Sequence, residues 1–199
     1  MYRMISRFIG VSLVVFATAV TVSAQAGPAQ DFVQNKHSSL ITELKKPASA
    51  ARNKRVDVMM SGLFDFHKLT KDALGKNAEG LKEEQVKKLQ ELVQELVTKN
   101  YKKHIEKTKN YEVTFLGDAA VPNGTGRVVR TKVSKRGSKD APIEVNYWLY
   151  EKGGTWMVYD IETEGSSMLR NYRNQFGKII RKDGFDALIG KLQERVKDT

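Results

Sequence analysis

The sequence predicts an α+β fold, in which a twisted antiparallel sheet of about four strands is wrapped by N-terminal and C-terminal helices. Apolar residues recur at helical spacings up to about residue 107, alternate with polar residues between residues 111 and 161, and then return to helical spacing. No segment has the strand, helix, strand order of a parallel βαβ unit. The 199 residues contain no internal repeat and no long linker, which predicts one globular domain.

Residues 1–26 have the composition of a secretory signal peptide. Arg3 and Arg7 give a positive start, residues 8–22 form an apolar stretch, and Ala24 and Ala26 provide a small-residue cleavage site. An uncleaved membrane anchor is the alternative, but the apolar stretch is shorter than the roughly 20 residues that a spanning helix needs. We therefore expect cleavage after residue 26, export across the inner membrane, and a mature domain over residues 27–199.

The composition is basic and free of cysteine. Lys and Arg number 34 against 23 Asp and Glu, which gives a formal net charge of +11. An exported protein rarely meets nucleic acid, so this charge favours anionic lipid headgroups or an acidic partner, or else only a well-solvated surface. The absence of cysteine excludes disulfides, thiolate nucleophiles and Cys-ligated metals.

The first half of the domain is predicted to be helical. A first helix ends before Pro47, which has no N–H group and restricts the residue before it. A second helix covers about residues 52–63, and a short third helix follows the aromatic residues Phe64 and Phe66. The clearest helix covers residues 82–107, where one stripe is apolar: Val86, Leu89, Val93, Leu96, Val97, Tyr101 and Ile105.

The sheet is predicted from a change of period to two at Tyr111. Turn residues separate the alternating segments, with Pro122, Asn123 and Gly124 before the second strand and Gly153 and Gly154 before the fourth. The third segment alternates best, because Ile143, Val145, Tyr147 and Leu149 all point to one side. The predicted strands cover residues 111–115, 128–133, 143–150 and 156–161.

Two helices are predicted after the sheet. Ser166 or Ser167 can cap the first of them, and Gly184 separates it from the second. Both have an apolar stripe at helical spacing, formed by Leu169, Tyr172, Phe176, Ile179 and Ile180 in the first and by Phe185, Leu188, Ile189, Leu192 and Val196 in the second.

The sequence contains no recognisable catalytic or metal-binding arrangement. His37, His67 and His104 are far apart and none belongs to a short metal motif. Neither a GxSxG elbow nor a phosphate-binding glycine loop occurs. Asp160 and Glu162 are acids at a strand-to-helix exit, where they favour the N-terminus of the following helix. We therefore expect neither an enzyme nor a metal site.

One long segment resembles a known family. Residues 154–196 read GTWMVYDIETEGSSMLRNYRNQFGKIIRKDGFDALIGKLQERV, which resembles the C-terminal signature of the MlaC, or toluene-tolerance, family of periplasmic phospholipid-binding carriers. Upstream, Phe64 to Phe66 and the ALG triplet at residues 73–75, followed by the helix over residues 82–105, are also similar to this family. The resemblance covers nearly all of the predicted mature domain.

The resemblance implies a periplasmic carrier with no cofactor other than its phospholipid cargo. Such a carrier moves phospholipid between an outer-membrane lipoprotein complex and an inner-membrane complex of an MCE protein and an ABC transporter, and so maintains the lipid asymmetry of the outer membrane. The implied fold is a nuclear transport factor two-like sheet wrapped by helices around a deep apolar cavity. We expect a monomer with no nucleic acid partner.

We expect the cavity to be lined by inward residues of the strands and the facing helices, although any α+β core buries the same residue types. Tyr147 and Tyr172 combine an apolar ring with a hydroxyl, which suits a cavity mouth. Arg170 and Arg173 are candidates for contact with a headgroup phosphate, or are only solvated. The candidate lipid-binding residues are Phe66, Leu69, Leu74, Leu96, Tyr101, Val113, Phe115, Val129, Val145, Tyr147, Val158, Ile161, Met168, Leu169, Tyr172 and Phe176.

Two alternatives stay open from the sequence. The same fold can carry another apolar lipid such as a hopanoid, because Ser166 and Met168 stand where the family often has Val and Leu, and these residues would reshape the cavity. A basic interaction module that binds an acidic partner and carries nothing is the second alternative, and it predicts a filled core without bound lipid.

Overall fold

A computed structural model describes residues 26–107, 111–121 and 124–199. Apart from Ala26, the predicted signal peptide lies outside the described residues, as do Pro122 and Asn123 of the predicted turn. Within the described ranges, no helix is long and apolar enough to cross a membrane. The fold is α+β, as the sequence predicts.

The helices occur in two groups, before and after the sheet. Their limits agree with the predicted helices to within a few residues, and a 3-10 turn, Gly75–Ala78, follows the third helix directly. The helices are α1 (Pro28–Leu44), α2 (Ala50–Ser61), α3 (Phe66–Leu74), α4 (Glu83–Lys107), α5 (Met168–Asp183) and α6 (Phe185–Asp198).

Local capping determines where several helices begin. Pro28 occupies the start of α1, where its missing N–H costs no hydrogen bond. Ser49, Asp65 and Ser167 stand immediately before α2, α3 and α5, and each side chain accepts a hydrogen bond from the backbone N–H three residues later. These caps explain why the chain leaves a turn or strand and enters a helix at these points.

The strands form one antiparallel sheet in sequential order. The fifth strand was not predicted and contains two residues, which pair with the end of the fourth across the turn at Glu164 and Gly165. Both turn residues have positive φ angles, 49° and 73°, as a tight two-residue hairpin requires. The strands are β1 (Tyr111–Ala120), β2 (Arg127–Lys135), β3 (Ile143–Lys152), β4 (Thr155–Thr163) and β5 (Ser166–Ser167).

Two bulges interrupt the simple alternation of the strands. One extra residue, Leu116, lies between Phe115 and Gly117 on β1, and the register between β3 and β4 shifts beyond Trp148. Along β3, Tyr147 and Leu149 are buried as predicted, whereas Ile143, where the strand begins, is exposed.

The core lies where the helices pack against each other and against the sheet. Helix α4 packs between α3 and α6, α5 contacts α3 and α6, and the sheet is reached by α1 at β1 and β2 and by α3 and α5 at β4. The centre of this region is fully buried and includes Leu69, Leu74, Leu89, Phe176 and Leu188.

Candidate functional site

A pocket with a volume of about 370 Å³ lies where the last turns of α4 face the junction between β4 and α5. Its wall is formed by α4, β4, β5 and α5 together with the segment before α3. The lining residues are Phe64, Val97, Asn100, Tyr101, Ile161, Thr163, Ser166, Met168, Asn171 and Tyr172.

The pocket has an apolar wall and a polar rim. Phe64 and Val97 are buried, and Ile161 and Met168 are half-buried and pack against the core. The exposed rim residues include Asn171, whose amide nitrogen donates a hydrogen bond to the hydroxyl of Ser166 at 3.0 Å. Such a lining favours a ligand that has an apolar part and a polar end.

The start of α5 is held by a buried carboxylate on β4. Asp160 accepts a hydrogen bond from the Ser167 hydroxyl at 2.5 Å and one from the backbone N–H of Leu169 at 2.8 Å. The Ser167 oxygen in turn accepts a hydrogen bond from the backbone N–H of Arg170 at 3.0 Å. Burial raises the pKa of Asp160, although its hydrogen-bond donors act in the opposite direction. This arrangement joins the strand to the helix and so positions Met168 at the pocket.

Phe64 reaches the pocket through a short parallel bridge to β4. The N–H of Val158 donates to the carbonyl of Leu63, and the N–H of Asp65 donates to the carbonyl of Val158, both at 2.9 Å. The Phe64 ring then stacks on Phe66, with ring centroids 5.5 Å apart. This backbone bridge holds an aromatic wall beside the edge of the sheet.

Three tyrosines bring hydroxyl groups into or beside the pocket. Tyr101 and Tyr172 line it, and Tyr147 is close enough to Tyr101 to influence its ionisation. Burial raises the pKa of all three, that of Tyr147 to about 12, and the pKa of Tyr101 is raised further by Tyr147. Among the described residues none of the three hydroxyls has a hydrogen-bond partner, and the two that line the pocket, those of Tyr101 and Tyr172, are available to a ligand as neutral donors.

The sequence-derived candidates fall into three groups in the structure. Four of them line the pocket: Tyr101, Ile161, Met168 and Tyr172. Eight are buried in the core outside the pocket lining: Phe66, Leu69, Leu74, Leu96, Val129, Tyr147, Val158 and Phe176. Four are partly buried and lie outside that lining: Val113, Phe115, Val145 and Leu169.

The two candidate headgroup arginines lie in different surroundings. Arg170 is exposed next to the pocket residues of α5, and its Nη2 donates to the carbonyl of Gly165 at 2.8 Å. Arg173 lines a separate groove beside the 3-10 turn, where its Nε donates to the carbonyl of Asp72 at 2.9 Å. The structure therefore does not bring the two guanidinium groups to the same pocket.

Sequence reasoning missed six lining residues. Val97 lies one helical turn before Tyr101 on the apolar stripe of α4, so helical spacing could have identified it. Phe64 belongs to the aromatic cluster before α3, but only the bridge to β4 turns it toward the pocket. Apolar periodicity carries no signal for the remaining residues, which are the polar rim: Asn100, Thr163, Ser166 and Asn171.

A larger groove of about 460 Å³ lies between α2 and α4, but its lining suits a different ligand class. It contains the ion pair between Lys102 and Asp57, at 2.8 Å. Every lining residue is polar or charged, which does not suit an apolar cargo: Asn53, Asp57, Glu91, Gln94, Glu95, Thr98, Lys99 and Lys102.

The side chains that line the pocket beside α5 suit the binding of a ligand. Among the described residues, neither a carboxylate nor a histidine lines it, so it offers no general base, and no group of three or more His, Cys, Asp or Glu residues is placed to hold a metal ion. Its hydroxyls and amides can instead orient a ligand by hydrogen bonding.

Comparisons with known proteins agree with this description. A solved structure of a phospholipid-binding protein from Ralstonia solanacearum, in complex with a phospholipid, is similar to this chain with a TM-score of 0.72 and 23% sequence identity. The similarity covers 86% of this chain and 98% of that chain, which establishes a shared fold. No curated protein matches the sequence significantly. The family model described as MlaC protein matches residues 34–194, so this chain belongs to the MlaC family.

Proposed function

We propose that this protein is a periplasmic phospholipid carrier that holds acyl chain in the pocket beside α5. The observation that carries the proposal is the pocket's division into an apolar wall, which includes Phe64 and Met168, and a hydroxyl- and amide-bearing rim. Membership of the MlaC family and the phospholipid bound to a protein of the same fold support the assignment. The expected role is binding and transfer, and no step of covalent catalysis is proposed.

The energetics of lipid transfer require nearly complete burial of the acyl chains. Each buried methylene contributes about 0.8 kcal/mol, so a sixteen-carbon chain contributes roughly 12 kcal/mol when it leaves water. A bilayer offers the same stabilisation, so a shallow groove cannot compete with it. The pocket of about 370 Å³ is near the small end of ligand pockets, so a two-chain lipid requires its walls to separate. Ile161 and Met168 are only half-buried and can move with least loss of packing.

The polar end of the lipid belongs at the rim. The hydroxyls of Tyr101 and Tyr172 can donate to ester carbonyl or phosphate oxygens, because they have no partner among the described residues. Arg170 is the basic residue nearest in sequence to the rim residue Asn171, and we propose that its guanidinium binds the headgroup phosphate. Arg173 has no role in this headgroup contact.

Transfer itself requires partners outside this chain. The sequence contains no nucleotide-binding loop, so a direction of transport must come from partners with different affinities for the lipid or from an ATPase elsewhere. We propose that the monomer, after removal of residues 1–26, exchanges phospholipid with an outer-membrane lipoprotein complex and an inner-membrane MCE and ABC transporter complex. This exchange would maintain the lipid asymmetry of the outer membrane.

The test is native mass spectrometry with lipid extraction of protein purified from periplasm without detergent. The expected result is one phospholipid per protein. Recovery of a hopanoid would mean that the protein is a carrier of a different lipid. Protein that carries no lipid and takes none from liposomes would be a non-carrying interaction module. N-terminal sequencing of the same sample tests cleavage after Ala26.

Two matched variants connect the lipid to this pocket. Met168→Glu places a carboxylate in the apolar wall, and we expect the bound lipid to fall more than about tenfold because a buried charge needs a partner. Met59→Glu makes the same change at another half-buried methionine, on α2, outside the pocket. Equal lipid content in the two variants would contradict the pocket assignment.

A further inference from the structure

A second groove, which we call the basic groove, lies between the 3-10 turn after α3 and a face of α5. Its volume is about 440 Å³, and no carboxylate side chain among the described residues lines it. Four cationic side chains and two amides surround it together with Leu74, Gly75 and Gly177. The polar residues of the basic groove are Lys76, Asn77, Arg173, Asn174, Lys178 and Arg181.

A hydrogen bond from its own guanidinium to the backbone fixes Arg173 in the basic groove. Its Nε donates a hydrogen bond to the backbone carbonyl of Asp72 at 2.9 Å. The two terminal nitrogens of its guanidinium have no hydrogen-bond partner among the described residues. A guanidinium fixed through Nε presents these two nitrogens as a fork for an anionic oxygen pair.

Arg181 enters the basic groove because a glycine leaves room for it. A Cβ added at Gly177 would lie 2.9 Å from Nη1 of Arg181 and 3.6 Å from the amide nitrogen of Asn77. The guanidinium therefore lies back over the helix, beside the amide, instead of extending into water. Two nitrogen donors from different elements thus converge over one backbone position.

The positive charges of the basic groove are not neutralised by neighbours. Within the described residues, none of its four cations forms an ion pair. The partial negative charge at a helix C-terminus explains cations near the ends of α3 and α5, such as Lys76 and Arg181, but it does not reach Arg173 or Lys178 in the body of α5. Grouped like charges repel each other, and a bound anion removes that repulsion.

We propose that the basic groove binds a phosphate oxyanion, supplied either by lipid headgroups at a membrane surface or by free inorganic phosphate. The forks of Arg173 and Arg181 match the spacing of phosphate oxygens, and the lysines add point charges. The side-chain amide of Asn174 adds neutral donors, and that of Asn77, which donates one hydrogen bond to the carbonyl of Leu74 at 3.0 Å, adds its second N–H.

This site goes beyond the proposed carrier function because it lies on a different face of α5 from the lipid pocket. Successive residues of a helix are roughly 100° apart, which places Arg173 about a quarter-turn from the pocket residue Tyr172 and Arg181 on the opposite face. Cargo in the pocket and phosphate in the basic groove can therefore be bound together.

The test measures binding of the purified full chain to two probes at low salt. Inorganic phosphate is titrated by calorimetry, and binding to vesicles of phosphatidylcholine with and without phosphatidylglycerol is measured by co-sedimentation. We expect the double variant Arg173→Gln with Arg181→Gln to bind about 10- to 30-fold more weakly to whichever probe the unaltered protein binds, since each basic residue near an anionic surface contributes about fivefold.

Two further variants distinguish binding at a specific site from binding that depends only on the net charge of the protein. Lys132→Gln with Lys139→Gln removes the same charge from exposed positions on and after β2, and we expect a change of less than about threefold. Gly177→Ala alters no charge, but its Cβ displaces the Arg181 guanidinium, and we expect weaker binding by a few-fold with no loss of thermal stability.

The outcomes are distinct from those of the lipid experiment. Phosphate binding without vesicle binding assigns the groove to the free ion, and vesicle binding that depends on phosphatidylglycerol assigns it to headgroups. Equal weakening in the Lys132 and Lys139 control, or no effect of Gly177→Ala, means that binding follows net charge and overturns the site. Failure of both probes also overturns it, whatever the Met168→Glu result.

Discussion

The middle and the end of α4 carry the same apolar stripe but lie in different surroundings. Leu89 and Val93 are fully buried, where α4 packs between α3 and α6. Tyr101, three turns further along, stays partly exposed and lines the pocket. The helix is equally apolar in both places, so the difference comes from what faces it. At its end α4 faces the junction of β4 and α5, where side chains stop short of filling the space.

The largest expected effect belongs to the packed part of α4. Leu89→Ala removes a fully buried side chain and should lower the free energy of unfolding by about 2–5 kcal/mol through lost transfer energy and a new cavity. Urea denaturation measures the change. We expect the folded fraction to keep its lipid, and loss of lipid per folded molecule would contradict the separation between core and pocket.

The second prediction concerns the hydrogen bonds of Ser167 that hold the start of α5 at the pocket. Ser167→Ala removes the cap of α5 and one partner of Asp160, and it should cost about 1 kcal/mol of stability, within a range of roughly 0.5–2. Ser166→Ala, on the adjacent exposed residue, is the matched control and should change stability by less than about 0.5 kcal/mol. Equal effects of the two substitutions in thermal unfolding would show that the cap does not hold α5.

The same contrast between core and pocket explains which parts of this structure can be predicted from the sequence. The helices and four strands follow from apolar period and turn residues, because these patterns record which face of each element is buried. The two-residue strand β5 was missed because two residues carry no period, and its existence depends on the positive φ angles at Glu164 and Gly165. Bulges were missed for a related reason, since an extra residue such as Leu116 changes the phase without changing the residue types.

The pocket was less predictable than the fold. The apolar periodicity is equally clear around a core leucine such as Leu69 and around a pocket residue such as Ile161. Only the packing of elements that are distant in the sequence determines which of them lines the pocket. The family resemblance supplied the expectation of a lipid cavity, but it did not separate Arg170 from Arg173. Their positions, one beside the pocket and one in the basic groove, depend on the rotation of α5 about its axis.

The third prediction concerns the hydroxyl groups that distinguish the pocket from the core. Tyr101→Phe and Tyr172→Phe should each weaken phospholipid binding by about 2- to 10-fold, the value of one hydrogen bond of roughly 0.5–1.5 kcal/mol. Unfolding stability should change by less than about 0.5 kcal/mol, because neither hydroxyl has a partner among the described residues. Tyr159→Phe on β4, outside the pocket, is the control, and lipid transfer from labelled vesicles is the measurement. Unchanged transfer in both pocket variants would assign the headgroup elsewhere.

The smallest expected effect compares two buried carboxylates: Asp65, which caps α3, and Asp160 on β4, which holds the start of α5. Burial raises the pKa of Asp65, but hydrogen bonds from Lys152, Tyr150 and the N–H of Lys68 outweigh it and leave that pKa lowered. The stability that ionised Asp65 contributes is therefore present above about pH 4 and is lost as the pH falls through the lowered value.

Asp160 has the opposite dependence. Its pKa is raised by burial, so its contribution is present below about pH 4 and is lost as the pH rises through the raised value. Asp65→Asn should reduce the loss of stability in acid, whereas Asp160→Asn should remove a gain that opposes that loss and so make acid unfolding steeper. Urea denaturation between pH 7 and pH 3 measures both slopes. Slopes that change in the same direction would mean that the two carboxylates are electrostatically alike, and that Asp160 is no more desolvated than Asp65.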